Sequence, residues 1–238
     1  MSEGILVEVE TVTKAYGSVV AVNEVSLKVE AGEVYGLVGA NGAGKSTLIR
    51  MMVGITAPEQ GRILVCGDDL RRRTPATRRR LGYLPEELFL YNRLTGEEYL
   101  RLVAGLKETD PRGISEEIEF FELREVARKW VGSYSLGMRK KLGLAAAFTG
   151  APDVLVLDEP LNGLDVEMMR KLRLRIEGER GRAFIISSHV MSFVERVSTR
   201  VGIMKSGRLV AEGTPDELRL RAALPQAPFE DVFFQLST

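Results

Sequence analysis

The sequence predicts an α/β domain with a mainly parallel sheet, and three observations carry that prediction. Short, continuously apolar runs recur along the chain: Val34-Tyr35-Gly36-Leu37-Val38, Leu81-Gly82-Tyr83-Leu84, Val154-Leu155-Val156-Leu157 and Ala183–Ser187. Strands buried on both faces read this way, because helices cover a parallel sheet on each side. Helical patterns lie between the runs, which gives the strand–helix alternation of a wound sheet. The third observation is a glycine-rich turn joining the first run to a helix-like segment, a form suited to phosphate.

That turn is Gly39-Ala40-Asn41-Gly42-Ala43-Gly44-Lys45-Ser46-Thr47. Its glycines let the backbone take positive φ and approach an anion without Cβ clashes. Successive N–H groups, with the positive end of the following helix, then form an anion nest. Lys45 adds a movable ammonium for the β- and γ-phosphates, and the Ser46 hydroxyl suits Mg²⁺. The pattern is that of a Walker A loop. By itself it implies only that a nucleoside triphosphate binds.

The chain has 238 residues, enough for one substantial core, so a single compound domain is expected. Its 33 basic and 33 acidic residues cancel, so no general nucleic-acid-binding surface is signalled. Cys66 is the one cysteine and cannot form an internal disulfide. No stretch resembles a secretory signal, and a reducing cytoplasm is the simplest setting. The nearest approach to a membrane span, Leu142 to Phe148, is stopped by Thr149-Gly150-Ala151-Pro152. It falls well short of the ~20 residues a bilayer needs. If the protein works on a membrane, another chain is expected to supply the membrane part.

Three strands are expected early, at Ile5–Val9, Val19–Val22 and Val25–Val29, with Lys14-Ala15-Tyr16-Gly17 as a turn between them. Tyr16 reads either as a stacking platform for a base or as a tyrosine covering a strand end. After the Walker helix come a turn at Pro58–Gly61 and a strand at Arg62–Val65. Six arginines follow, Arg71-Arg72-Arg73 and Arg78-Arg79-Arg80. They read as a salt-bridged, solvated helix face or as a contact for anionic lipid or an acidic loop. No aromatics interleave with them as nucleic-acid binding would require.

From about 88 to 150 the pattern turns helical. Thr95 with Glu98 makes a capping box, and Ser115 is expected to start another helix. The block reads as an α-helical insert of about 88–149 in a core lobe of about 1–87 and 150–238. Further strands are expected at Arg200–Met204 and Arg208–Ala211.

Asp158 and Glu159 close an apolar strand at its C-terminal end, where α/β folds bind ligands. Neighbours at a strand end point opposite ways, so their roles should differ. Asp158 would hold Mg²⁺, the Walker B role, and Glu159 would orient or deprotonate an attacking water. Solvated acids at a strand end are the plainer reading. Ser187-Ser188-His189 closes another core strand, and His189 is the only histidine. Its imidazole can donate to a γ-phosphate oxygen or serve structure alone.

With these motifs in this order, the chain resembles the ATP-binding subunit of an ABC (ATP-binding cassette) transporter along nearly its whole length. Carrying the resemblance are Tyr16, Gly39–Thr47, Pro85-Glu86, Tyr134-Ser135-Leu136-Gly137-Met138, Val154–Pro160, Asn162-Gly163-Leu164-Asp165 and His189. It implies a P-loop NTPase core with an N-terminal antiparallel β subdomain and an α-helical insert. It implies ATP and Mg²⁺ as ligands, Tyr16 on the adenine, and Lys45, Glu159 and His189 as catalytic groups. Glu86 takes the Q-loop position, a metal ligand with Ser46 and Asp158. Ser135 and Gly137 lie in the signature that contacts the nucleotide of a second protomer, and Asp165 in the D-loop crossing that interface. Ser135 also reads as an ordinary helix cap.

Two positions depart from the commoner family pattern. Leu136 stands where glycine is usual, and Glu86 where glutamine is usual, which adds a negative charge near the γ-phosphate. Both variants, and the ending Pro228–Phe234, resemble an export-type branch similar to ATPases of drug and antibiotic efflux permeases. The implied partners are a membrane permease and a second ATP-binding subunit, identical or not. The implied location is the cytoplasmic face of a membrane. The competing expectation is a soluble ABC ATPase of DNA repair or translation. Such relatives usually carry a long coiled-coil insertion or a second cassette, and neither heptads nor a second Walker A loop is present.

Overall fold

The computed structural model describes residues 4–72, 74–179 and 181–237. Arg73, one of the six clustered arginines, lies outside them. Strands β1 (Ile5–Tyr16), β2 (Val19–Glu30) and β3 (Val34–Gly39) precede helix α1 (Lys45–Met52). Then come β4 (Gln60–Val65), β5 (Asp68–Asp69), α2 (Pro75–Arg79) and β6 (Leu81–Leu84). The helical stretch holds α3 (Gly96–Lys107), α4 (Ile114–Phe120) and α5 (Leu136–Phe148). The remainder alternates: β7 (Val154–Asp158), α6 (Val166–Gly178), β8 (Ala183–Ser187), α7 (Met191–Val197), β9 (Arg200–Lys205) and β10 (Arg208–Gly213). Helices α8 (Pro215–Arg221) and α9 (Phe229–Leu236) close the described chain.

Two sheets result. The smaller is antiparallel, ordered β2-β1-β4-β5; the larger is ordered β10-β9-β3-β8-β7-β6 and is parallel except for its β9–β10 edge. The apolar strands are buried on both faces, as expected, and alternation sorts their side chains. Tyr35 and Leu37, Val154 and Val156, and Ala183 and Ile185 meet α1 and the antiparallel sheet. Leu155 and Leu157 with Phe184 and Ile186 face the opposite cluster, built with α3 to α6. Helix α1 is thus clamped between the sheets by Leu48, Ile49, Met51 and Met52, all buried. Each such side chain contributes about 1.5–3 kcal/mol on burial.

Some local expectations change. Residues 19–30 form one strand, kinked at Glu24 with φ 52°, rather than two. Lys14 to Tyr16 belong to β1, so the turn is Gly17-Ser18 alone. Ser115 does not start a helix: α4 begins at Ile114, and the Ser115 hydroxyl donates back to the Arg112 carbonyl. The Thr95–Glu98 capping box forms at the head of α3. The clustered arginines sit partly on α2, capped by Thr74. Arg71 pairs with Asp69, Arg79 with Glu108 and Arg80 with Asp153. The closing segment is a packed amphipathic helix, with Phe229, Val232 and Phe233 buried against Val38, Val201 and Ile203.

Candidate functional site

Strand register gathers the functional residues. Ser187 of β8 lies opposite Leu37 of β3 and Asp158 of β7, and Leu84 of β6 lies opposite Leu157. In parallel strands this alignment brings the loops after β3, β6, β7 and β8 out along one sheet edge. That edge is where wound α/β sheets take their ligands.

The loop after β3 enters α1 through Gly44, whose φ of 103° is left-handed. A Cβ there would stand 2.3 Å from the Ala21 carbonyl oxygen, so only glycine fits. The first amides of α1 receive no side-chain cap from Gly44 and open on a cleft of about 680 Å³. Asn41 to Thr47 line that cleft with Glu86, Asp158 and Glu159. Gly39 and Ala40 do not line it; their carbonyls accept from Lys45 Nζ at 2.7 and 3.2 Å, folding the ammonium back along the loop.

Asp158 is buried and accepts a hydrogen bond from the Ser187 hydroxyl. The Glu159 amide donates to the carbonyl and hydroxyl oxygens of Ser187, each at 3.1 Å. Ser187 therefore braces both acids, a role the sequence reading missed. The only signal was a hydroxyl at the end of an otherwise apolar strand. Glu159 itself has φ 47°, a conformation that costs a non-glycine residue on the order of 1–3 kcal/mol. Its carboxylate meets His189 Nδ1 at 2.8 Å, while the imidazole stays largely exposed. Adjacent acids thus have separate partners, one a hydroxyl and the other an imidazole.

Ser46, Asp158 and Glu86 share the cleft and offer oxygen only. Among the described residues no group of three or more His, Cys, Asp or Glu is placed to hold a metal. That donor set fits a hard cation completing its shell with phosphate and water oxygens. Tyr16, half exposed at the end of β1, is not among the lining residues, and Lys14 Nζ lies 5.4 Å from its ring centre. Val19, Val20, Ala21 and Ser206 do line the cleft and were not foreseen. Nothing in the sequence marked the two valines: their exposure on the edge strand β2 shows only in the fold.

Ser135, Gly137 and Asp165 are brought together elsewhere. Ser135 caps α5, its hydroxyl accepting from the Met138 amide at 3.3 Å. The start of α5 packs on the 161–165 loop so closely that a Cβ on Gly137 would lie 2.9 Å from the Gly163 carbonyl. Asp165 caps α6 through the Met168 amide at 2.8 Å, which holds its carboxyl below the ordinary value, and Lys141 stands 3.4 Å away. None of the three lines the cleft.

A family model described as ABC transporter matches residues 22–162. The chain belongs to the ABC transporter family. It is 36% identical over 220 residues to the bacitracin transport ATP-binding protein BcrA of Enterococcus faecalis, covering 91% of this chain and 71% of that one. It is 36% identical over 240 residues to the probable multidrug ABC transporter ATP-binding protein YbhF of Escherichia coli K12, covering 97% of this chain and 41% of that one. A solved ATP-binding subunit of an ABC transporter superposes with a TM-score of 0.93 at 30% identity, covering 98% of this chain and all of that one. The fold expected from the motifs is therefore the fold found, and this cassette is an ATPase of the family. The DNA-repair or translation reading is not favoured.

Proposed function

We propose that the cassette is the ATP-hydrolysing motor of an export transporter, working on the cytoplasmic face of a membrane with a separate permease. No helix among the described residues is long and apolar enough to cross a bilayer, and in this reading the permease supplies the membrane path. Two ATP-binding subunits, two copies of this chain or one with a different partner, pair head to tail around ATP. The observation that carries this reading is that Ser135 and Gly137 do not line their own chain's cleft. That exposed, self-capped tip is free to complete the cleft of a second protomer.

In that pairing the amides of residues 40–47 and the Lys45 ammonium hold the β- and γ-phosphates. Ser46, Asp158 and Glu86 would hold magnesium, which would supply charge neutralisation for the bound polyphosphate. Glu159 accepts the proton of the attacking water. His189 meets Glu159 through Nδ1, and its second ring nitrogen donates to a γ-phosphate oxygen when the ring is doubly protonated. Tyr16 reaches the adenine only when the base lies beyond the cleft described above. Ser135 and Gly137 reach the γ-phosphate held by the partner, and Asp165 crosses the interface. Residues 88–149 act as a helical subdomain within the lobe of 1–87 and 150–238. Export is the direction printed for a relative 37% identical over 218 residues, the Nod factor export ATP-binding protein I of Burkholderia orbicola.

Glu159→Gln is the test. It retains ATP binding, loses turnover by about 10²–10⁴-fold, and elutes as a dimer with ATP and Mg²⁺. A variant that stays monomeric and active overturns both the base assignment and the sandwich. Recovery of a permease from detergent-solubilised membranes tests the partner directly.

A further inference from the structure

Helix α5 carries a lysine inside the protein. Lys140 is only 3% exposed, and its Nζ has no hydrogen-bond partner. An unpaired buried ammonium is costly, and a fold retains one only where other charges offset it. The packing shows where it lies. Lys140, Gly143 and Ala147 share one helix face by their three- and four-residue spacing. A Cβ on Gly143 would meet Leu88 and Leu84 at 2.7 and 2.9 Å, and the Ala147 carbonyl comes within 2.2 Å of a Cβ on Gly82. That face therefore lies directly on β6 and on the segment that follows it. Lys140, one turn nearer the start of α5, continues the row past the end of β6. There the chain runs through Pro85 and Glu86, beside the Asp158–Glu159 strand end.

The charges agree with this placement. Burial pushes the Lys140 ammonium down from its ordinary value, while the carboxylates of Asp158, Glu159 and Glu86 act to raise it. Those three acids share one cleft that must also accept a polyphosphate. Glu86 is the acid not braced by Ser187 or His189.

We propose that Lys140 is a positioning residue for ATP hydrolysis, its buried ammonium being the counter-charge that lets this chain carry glutamate at position 86 beside Asp158 and Glu159. The inference rests on the cleft being the ATP site, and ATP binding by the unsubstituted protein tests that premise separately. Removing the ammonium leaves Glu86 opposed to the incoming γ-phosphate. Removing the Glu86 charge as well restores the balance.

The experiment is a double-mutant cycle on the full chain with Lys140→Met and Glu86→Gln, reading the Kd for ATP in the presence of Mg²⁺, with kcat and KM. Lys140→Met alone weakens ATP binding by about tenfold, equivalent to about 1.4 kcal/mol. In the Glu86→Gln background Lys140→Met changes the Kd by less than about threefold relative to Glu86→Gln alone, and Lys140→Arg keeps binding because it keeps the charge. Equal losses in both Glu86 backgrounds overturn the proposal and leave Lys140 a packing residue. Should Lys140→Met not fold, Lys140→Gln replaces it in the same cycle. Folding recovered only together with Glu86→Gln supports the counter-charge, and failure in both backgrounds overturns it.

Discussion

The starts of α1 and α5 are built from similar parts and finished in opposite ways. Both are glycine-bearing turns that aim backbone amides along a helix axis. At α1 the cap is a left-handed glycine without a side chain, and its amides open into a cleft enclosed by two strands and three carboxylates. At α5 the cap is Ser135 in extended conformation, whose hydroxyl already satisfies the Met138 amide. The next residue, Leu136, is 75% exposed. One tip leaves its amides open to a cleft of its own chain. The other is self-capped and exposed. Capping chemistry, not glycine content, separates the two.

Substitutions at the two tips break or sharpen this contrast, and the largest effect belongs to α1. Lys45→Ala lowers the rate of phosphate release by about 10²–10³-fold, the scale of losing a charged donor at a reacting group. Unchanged turnover would remove the cleft from the reaction. Ser135→Arg comes next: ATP-driven pairing disappears on size exclusion and turnover falls about tenfold or more, while monomer affinity for ATP stays within about threefold. Equal loss of binding by the monomer would mean that the two tips serve one cleft. Gly44→Ala acts on stability, by about 1–3 kcal/mol for its left-handed backbone, before its contact with the Ala21 carbonyl is added. Chemical denaturation measures it, and a wild-type midpoint would contradict the geometry. The smallest effect is that of Ser135→Ala. Loss of the cap costs about 1 kcal/mol by thermal denaturation and leaves ATP binding by the monomer unaltered.

What could be read in the sequence was what neighbouring residues decide among themselves. Apolar runs such as Val154–Leu157 marked strands buried on both faces, and Thr95 with Glu98 marked a helix start that forms as written. The Gly39–Thr47 turn announced the left-handed backbone found at Gly42 and Gly44, because positive φ and close approach leave glycine little competition. Where local signals were thin the reading slipped, at the kinked strand through Glu24, at Ser115, and at the two-residue strand Asp68–Asp69. A bulge keeps the outward look of two strands, and a serine one residue inside a helix looks like a cap.

By itself the sequence determined the family, the phosphate-binding turn and the residue types of the site, because each is written in contiguous residues whose backbone conformation is local. Only the tertiary structure decided which of them meet. The register of β6, β7 and β8 sets Glu86 beside Asp158, puts Ser187 under both Walker B acids, and joins Glu159 to His189. It also buried Lys140 where the charges of Asp158, Glu159 and Glu86 bear on its ammonium. Register and helix packing are settled by burial summed over the whole core, and no local stretch of chain carries that sum.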